Sequence, residues 1–284
     1  HKNMNDLMTA FKEHKIFKQN RPWDVNKMIF PTKITAPPHY ADTIEVLLCC
    51  DLVGDIYIGG NKFELCGKQI FYIPPRIVHS VFYQKNDGYV KVLKINIEQL
   101  NPLLNIEEIL KREKKSFLSL PACLSYFDEI EHISDTFDTS THIAEICECI
   151  LTLFNRLIQA SGHSCFDNEK NDVHNHNLRK VILWTEQNYK SKISLDDASK
   201  LIGYERHYFC NKFKSLTGIS YINYVNNLRV QYACELLTNG CSVSVTCEQC
   251  GFNDLSYFIK LFKKITGVTP KTFVKNTTLH QTYL

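Results

Sequence analysis

With 284 residues, a 44% apolar share and a 22% charged share, the chain has the material for soluble globular cores, and its length points to two domains rather than one. No apolar run is long enough to cross a bilayer, and the start of the chain lacks the charged-then-apolar order of a signal peptide, so a cytoplasmic protein with no membrane partner is expected. The net charge of +3 conceals an asymmetry: from His176 onward Lys and Arg outnumber Asp and Glu 14 to 7, whereas the part before it carries 19 against 23.

A basic C-terminal third on an acidic remainder implies an anionic partner for one end only. Twelve cysteines are present, but the chain is too long for a disulfide-stapled mini-domain. Cys147, Cys234 and Cys247 fall inside helical patterns, where a reduced thiol serves as a small apolar side chain. Cys247 and Cys250 form the single CxxC pair, which supplies only half of a tetrahedral structural metal site.

In chain order, short strands come first, from about residue 21 to 100. "TIEVLLCCDL" is β-rich and apolar, and "DIYIGGNKFEL" alternates about Gly59-Gly60-Asn61, a strong hairpin signal. "KQIFYIPP", "SVFY" and "YVKVLKINI" follow, a spacing that suggests a small barrel or sandwich. Helices begin after Asn101. In "THIAEICECILTLFNRLIQAS", Ile143, Ile146, Ile150, Leu153, Phe154 and Leu157 form one stripe, suited either to packing on the barrel or to dimerisation. The polar run from Ser161 to His176 lacks periodicity and is expected to be a linker.

The remainder is helical. "NLRKVILWTEQNYK" carries Val181, Ile182 and Trp184. "SLDDASKLIG" opens on a Ser194-x-x-Asp197 pattern that resembles a capping box and stops at Gly203. "RHYFCNKFKSLTG" ends at Gly218. A long helix to Gly240 follows, with Ile222, Val225, Leu228, Tyr232 and Leu236 expected on its buried face. The short-helix, glycine, second-helix pattern then recurs in "SVSVTCEQCG" and "DLSYFIKLFKKITG", and Pro270 opens a last helix at a position where its missing N–H costs little.

The recurrence extends to side chains. "FKSLTGISYINYV" from Phe213 and "FKKITGVTPKTFV" from Phe262 share Phe, Lys, Thr, Gly and Val in place, 49 residues apart. Each unit is a helix, a turn bearing glycine, and a second helix with basic residues beside its apolar stripe. That is the logic of a helix-turn-helix, whose second helix enters the DNA major groove. Phe209 and Phe213, then Phe258 and Phe262, are expected inward. His207, Cys210, Asn211 and Lys214 are left outside in the first unit. Leu255, Ser256, Ile259, Lys260 and Lys263 are left outside in the second. Two such units joined by the long helix would reach successive major grooves about 34 Å apart. A duplicated helical core without nucleic-acid function is the competing explanation.

"CGFNDLSYFIKLFKKITGVTPKTF" and "GYERHYFCNKFKSLTG…YVNNLRVQYACELL" closely resemble the double helix-turn-helix of the AraC/XylS family of bacterial transcription regulators, over roughly Asn177 to Val274. The resemblance implies an α+β chain of two domains. A cupin-like β-barrel for effector sensing and dimerisation would span 1–160, a linker 161–176, and an all-α DNA-binding domain 177–284. It further implies sequence-specific promoter binding as an activator or repressor, with activation expected, together with RNA polymerase and a second copy of the chain as partners. The family's base-reading positions fall on His207, Cys210 and Asn211, then on Leu255, Ser256, Ile259 and Lys260. Asn211 stands where Arg is frequent, and Asn favours adenine. Val245 and Thr246 replace the acidic capping partner and apolar residue usual in the second unit's first helix.

The N-terminal part looks like a cupin. His39, Glu45 and His79 match three positions of the metal-binding cupin motifs, while Ala41 stands in place of the second His and Arg76 in place of the usual Gly. With that set incomplete, a metal-free pocket for a small-molecule effector is expected, lined by His39, Glu45, Tyr57, Phe63, Tyr72 and His79, with no cofactor. Two alternatives are a metal-dependent cupin enzyme fused to a DNA-binding module and a dimeric regulator that senses nothing. No nucleophile–base set, phosphate-binding Gly loop or carboxylate dyad is evident, so no catalytic residue is assigned.

Overall fold

The computed structural model describes residues 23–29, 35–84, 88–96, 118–121 and 169–281, with isolated positions between 98 and 155. It divides at Asn175/His176 into two compact units.

Among the described residues the first unit has nine strands: β1 (Trp23–Ile29), β2 (Thr35–His39), β3 (Ile44–Cys50), β4 (Gly54–Ile58), β5 (Asn61–Leu65), β6 (Lys68–Ile73), β7 (His79–Tyr83), β8 (Tyr89–Ile95) and β9 (Leu118–Pro121). They form two antiparallel sheets, ordered β1-β8-β3-β6-β9 and β2-β7-β4-β5. The first eight strands cross between the sheets at every connection except the β4–β5 hairpin, which is jelly-roll order, the two-sheet architecture to which cupins belong. The expected hairpin is present. Ile58 pairs with Asn61, and Gly59 and Gly60 take φ of 54° and 87°, both positive as a two-residue hairpin turn requires.

Register fixes which side chains share a face, because successive strand residues point to opposite sides. Glu45 lies opposite Lys94 on β8 and Ile73 on β6, and Val46 lies opposite Tyr72. His79 lies opposite Ile58 and His39, whereas Tyr57 lies opposite Ser80. Glu45 and His79 meet across the sheets, so their faces line the interior between them.

The helices are α1 (Glu169–Asn188), whose residues up to Asn175 belong to the first unit, and then, in the second, α2 (Leu195–Leu201), α3 (Arg206–Thr217), α4 (Tyr221–Thr238), α5 (Val243–Gln249), α6 (Leu255–Thr266) and α7 (Pro270–Gln281). Residues 169–176, expected within a linker, are instead the opening turns of α1. Asn175 is buried there rather than solvated. Its amide accepts from Val78 N at 2.9 Å and donates to Arg76 O at 3.0 Å, within the first unit. The stripe from Ile143 to Leu157 lies outside the described residues.

The repeat seen in sequence is a repeat of packing. Phe209 and Phe213 stand 5.8 Å apart between ring centroids, as do Phe258 and Phe262. Phe213 packs on Tyr224 and Phe262 on Phe273, the corresponding pair. Thr217 Oγ1 donates to Phe213 O at 2.7 Å, and Thr266 Oγ1 to Phe262 O at 2.8 Å. Each of these helices then stops at a left-handed glycine, Gly218 or Gly267, where a Cβ would be strained. All four phenylalanines are buried. On α4, Val225 is buried as expected and Tyr232 and Leu236 pack against the core, but Ile222 is not on the buried face. Ile222 is 53% exposed, and Tyr221, Tyr224, Val225, Val230, Ala233, Cys234 and Leu237 face the core. Tyr221 takes the inward place because its ring packs edge-on to Phe209 and Phe213 while its hydroxyl bonds Thr185 Oγ1 at 2.8 Å.

Candidate nucleic-acid interface and the buried polar cluster

The helix ends of both units carry caps that orient the second helices. Glu205 accepts from His207 N and Tyr208 N to start α3, and Asp254 accepts from Tyr257 N to start α6. Those backbone donors hold the Glu205 carboxyl below its ordinary pKa. With the phenylalanines inward, His207, Asn211 and Lys214 on α3 are exposed, and Cys210 is half-buried. Asn211 Nδ2 donates to His207 Nδ1 at 3.3 Å, one turn away, which joins the two side chains on one surface. On α6, Leu255, Ser256, Lys260 and Lys263 are exposed and Ile259 is half-buried. The two sets therefore offer hydrogen-bonding groups, methyl contacts and cations along one helix face each, which is the chemistry of base-edge and phosphate contact.

Three cysteines of the second unit are packing groups. Cys234, Cys247 and Cys250 are buried with Phe252, Phe258 and Phe262 in one core. Burial pushes all three thiols up, Cys250 to about 12, so the reactive thiolate form is suppressed.

In the sheet unit, His39, Glu45 and His79 are brought together: one ligand-type atom from each lies within 4.8 Å of the others, and all three are buried. His79 Nε2 lies 2.8 Å from Glu45 Oε2, and His79 Nδ1 donates to Ile77 O at 3.0 Å. His39 Nδ1 donates to Pro37 O at 2.8 Å, and the two imidazoles are 4.2 Å apart. Lys94 completes the cluster. Its Nζ is 3.1 Å from Glu45 Oε1, an ion pair whose alignment falls outside that of a hydrogen bond. Burial would raise the Glu45 carboxyl, but the charge and hydrogen bond of His79, then Lys94 and His39, outweigh it and hold the group well below the carboxylate range.

That donor set does not fit a metal. Both carboxylate oxygens already face nitrogen donors, and the Lys94 ammonium stands where the charge of an ion would be needed. Lys94 was not anticipated; the available signal was the two lysines, Lys91 and Lys94, inside the apolar strand "YVKVLKI". Of the remaining residues expected around this site, Phe63 lies on the interior face and packs on Phe71. Tyr57 and Tyr72 do not line the interior. Register turns each to the far side of its sheet, where Tyr57 meets Phe82 and Tyr72 is buried beside Val46.

A helix-turn-helix built twice, with a basic excess and exposed second helices, defines a DNA-binding protein. Residues 198–276 match the family model described as a helix-turn-helix domain. Through this domain the chain is similar to AraC-type transcription regulators. It is 27% identical over 150 residues to YdeC, an uncharacterised helix-turn-helix-type transcriptional regulator of Bacillus subtilis (strain 168), covering 52% of each chain. It spans only about half of that relative's length. It is 24% identical over 240 residues to the transcriptional activator RhaS of Mannheimia succiniciproducens, covering 83% of this chain and 88% of RhaS. Among solved structures, ToxT of Vibrio cholerae with an unsaturated fatty acid bound is 17% identical, with a TM-score of 0.47 over 91% of this chain and 97% of that one.

Proposed function

We propose that this protein is a sequence-specific, promoter-binding transcription regulator, an activator, that inserts α3 and α6 into successive major grooves of one duplex. The observation that carries the reading is the duplicated unit, which repeats aromatic packing, threonine hydrogen bonds and left-handed glycine stops while leaving a polar and basic face exposed on each second helix. His207, Cys210 and Asn211, then Leu255, Ser256, Ile259 and Lys260, read bases. Lys214 and Lys263 meet phosphates, where a flexible ammonium suits a point contact. The sheet unit senses a small molecule and pairs two copies of the chain, and the bound regulator contacts RNA polymerase in the cytoplasm. The buried set His39, Glu45, His79 and Lys94 supports the sensing role by giving the interior a polar anchor.

Selection of duplexes from a random-sequence pool by the full chain tests this reading. Enrichment of two short motifs about one helical turn apart, 10–10.5 bp, supports it. Equal retention of all sequences at low ionic strength refutes it.

A further inference from the structure

Repetition accounts for each helix-turn-helix unit but not for how one unit is held to the other. In a chain whose copies were joined by α4 alone, each recognition helix would carry its own rotational freedom. The seam between the copies is not left to α4.

Arg229, on α4, is half-buried. Its Nε donates to Tyr189 O at 2.8 Å and its Nη2 to Ser191 O at 2.9 Å, both in the loop between α1 and α2. The same guanidinium lies 5.5 Å from the centroid of the Phe252 ring, in the turn between α5 and α6. Burial lowers its pKa from the usual 12.5, yet arginine keeps its charge in proteins, so these are charge-assisted bonds to carbonyls at the negative end of α1. The backbone of the second unit closes on that loop directly. A Cβ on Gly251 would stand 2.7 Å from Lys190 O and 3.3 Å from Arg229 Nη2. Lys190 in turn places its ammonium 3.6 Å from the centre of the Tyr232 ring on α4. The corresponding turn of the first unit has no such neighbour: around Gly203 nothing lies within 4 Å of the same position. The contact therefore belongs to the joint between the copies rather than to the repeated unit.

We propose that Arg229 is a positioning residue that locks the two helix-turn-helix units into one rigid reader, so that DNA is recognised only when two sites stand at one spacing and rotational phase. The proposal rests on the reading that both α3 and α6 touch DNA. A fork of donors is needed because two carbonyls two residues apart must be held at once, which a single ammonium does not do. Rigidity converts the second binding event into an intramolecular one at a fixed geometry, with gains that vanish when the geometry forbids simultaneous contact.

The test uses the full chain, the duplex that the wild type selects, the same duplex with 2 bp inserted between its motifs, and a duplex with one motif only. The insertion turns the second site by about 70°. Wild type is expected to lose at least about tenfold in affinity on insertion, falling to the level of the single-motif duplex. Arg229→Gln is expected to bind the single-motif duplex as wild type does, to bind the intact duplex about tenfold more weakly, and to lose less than about threefold on insertion. An unchanged penalty for the insertion in Arg229→Gln, or an equal loss on all three duplexes, overturns the proposal. If Arg229→Gln shows no cooperative melting, Arg229→Lys, which keeps the charge over Phe252 and one donor, is read by the same criteria. If wild type selects no duplex at all, it is the underlying DNA-binding reading that fails.

Discussion

Glu45 and His79 face one another from opposite sheets, with 2.8 Å between Oε2 and Nε2 and both side chains buried. A carboxylate in that position is stabilised by its neighbours and has no access to water, so its protonation is a folding event. Its folded pKa lies below the ordinary 4.5. The contribution to stability is therefore fully present above that value and is lost as pH falls below it toward the folded one. Denaturant unfolding of the wild type should weaken steeply below about pH 4.5. In Glu45→Gln the acid limb should flatten, although the variant is less stable at neutral pH. Parallel acid limbs would show that Glu45 does not drive the dependence.

Lys94 makes a second prediction for the same cluster. Removing one partner of a buried ion pair leaves an uncompensated charge and costs about 3–5 kcal/mol. Lys94→Ala should unfold at a correspondingly lower denaturant concentration. It should also free a Glu45 oxygen beside two imidazoles, so added zinc should raise the melting temperature of Lys94→Ala while leaving the wild type unmoved. A zinc-dependent rise in the wild type would contradict the argument that the ammonium precludes the ion.

Gly203 and Gly251 occupy equivalent turns with φ of 68° and 77°, but only Gly251 is pressed against other backbone. Gly203→Ala should cost about 1–2 kcal/mol, the strain of a left-handed non-glycine residue. Gly251→Ala adds a collision with Lys190 O that no flexible side chain can relieve, and should cost clearly more. Chemical denaturation of both variants measures the difference.

The first helices of the two units are capped unequally. In α2, Ser194 accepts from Asp197 N and the Asp197 carboxylate accepts from Ser194 N at 2.9 Å. In α5, Ser242 accepts from Val245 N, but valine returns nothing to the cap. Val245 is 43% exposed, so replacing it buries no penalty. Val245→Glu should complete the box and raise stability by about 0.3–1.5 kcal/mol in thermal unfolding.

On the exposed faces, Asn211→Ala should cost about 1–3 kcal/mol and relax specificity at one base pair, read by competition with single-base variants of the selected duplex. Lys260→Ala tests the other possibility for a cation at a base-reading position. If it meets phosphate, the loss is uniform across sequences and the salt slope falls by about one.

The duplicated helical unit was legible in sequence because two independent signals coincided. Phe213 and Phe262 lie at helical spacing within each copy and recur between copies. The positions of the hairpin at Gly59-Gly60, the cap at Ser194 and the stops at Gly218 and Gly267 were legible for a local reason: each is dictated by the φ or the hydrogen bond of one or two residues. The inward residue at the start of α4 was not, since Ile222 and Tyr221 are adjacent and comparably apolar, and only the ring contacts of Tyr221 decide which turns inward. Tyr72 could not be placed by pattern because β6 is buried on both faces over Ile70–Ile73, and alternation that exposes nothing leaves none to follow. Tyr57 lies on β4, where Ile56 and Ile58 take the buried face and leave it on the other.

The sequence by itself determined a sheet-forming part, a helical part with a basic excess, and two copies of a helix-turn-helix with their inward phenylalanines. These follow from periodicity and backbone chemistry, which act over a few residues. Tertiary structure alone decided that Lys94 neutralises Glu45, that Asn175 is tied to the strand loop at Arg76 and Val78, and that Arg229 joins residues 189 and 191 to Phe252. Each pairs residues far apart in the chain, and no local preference selects such a partner; register and packing bring it within reach.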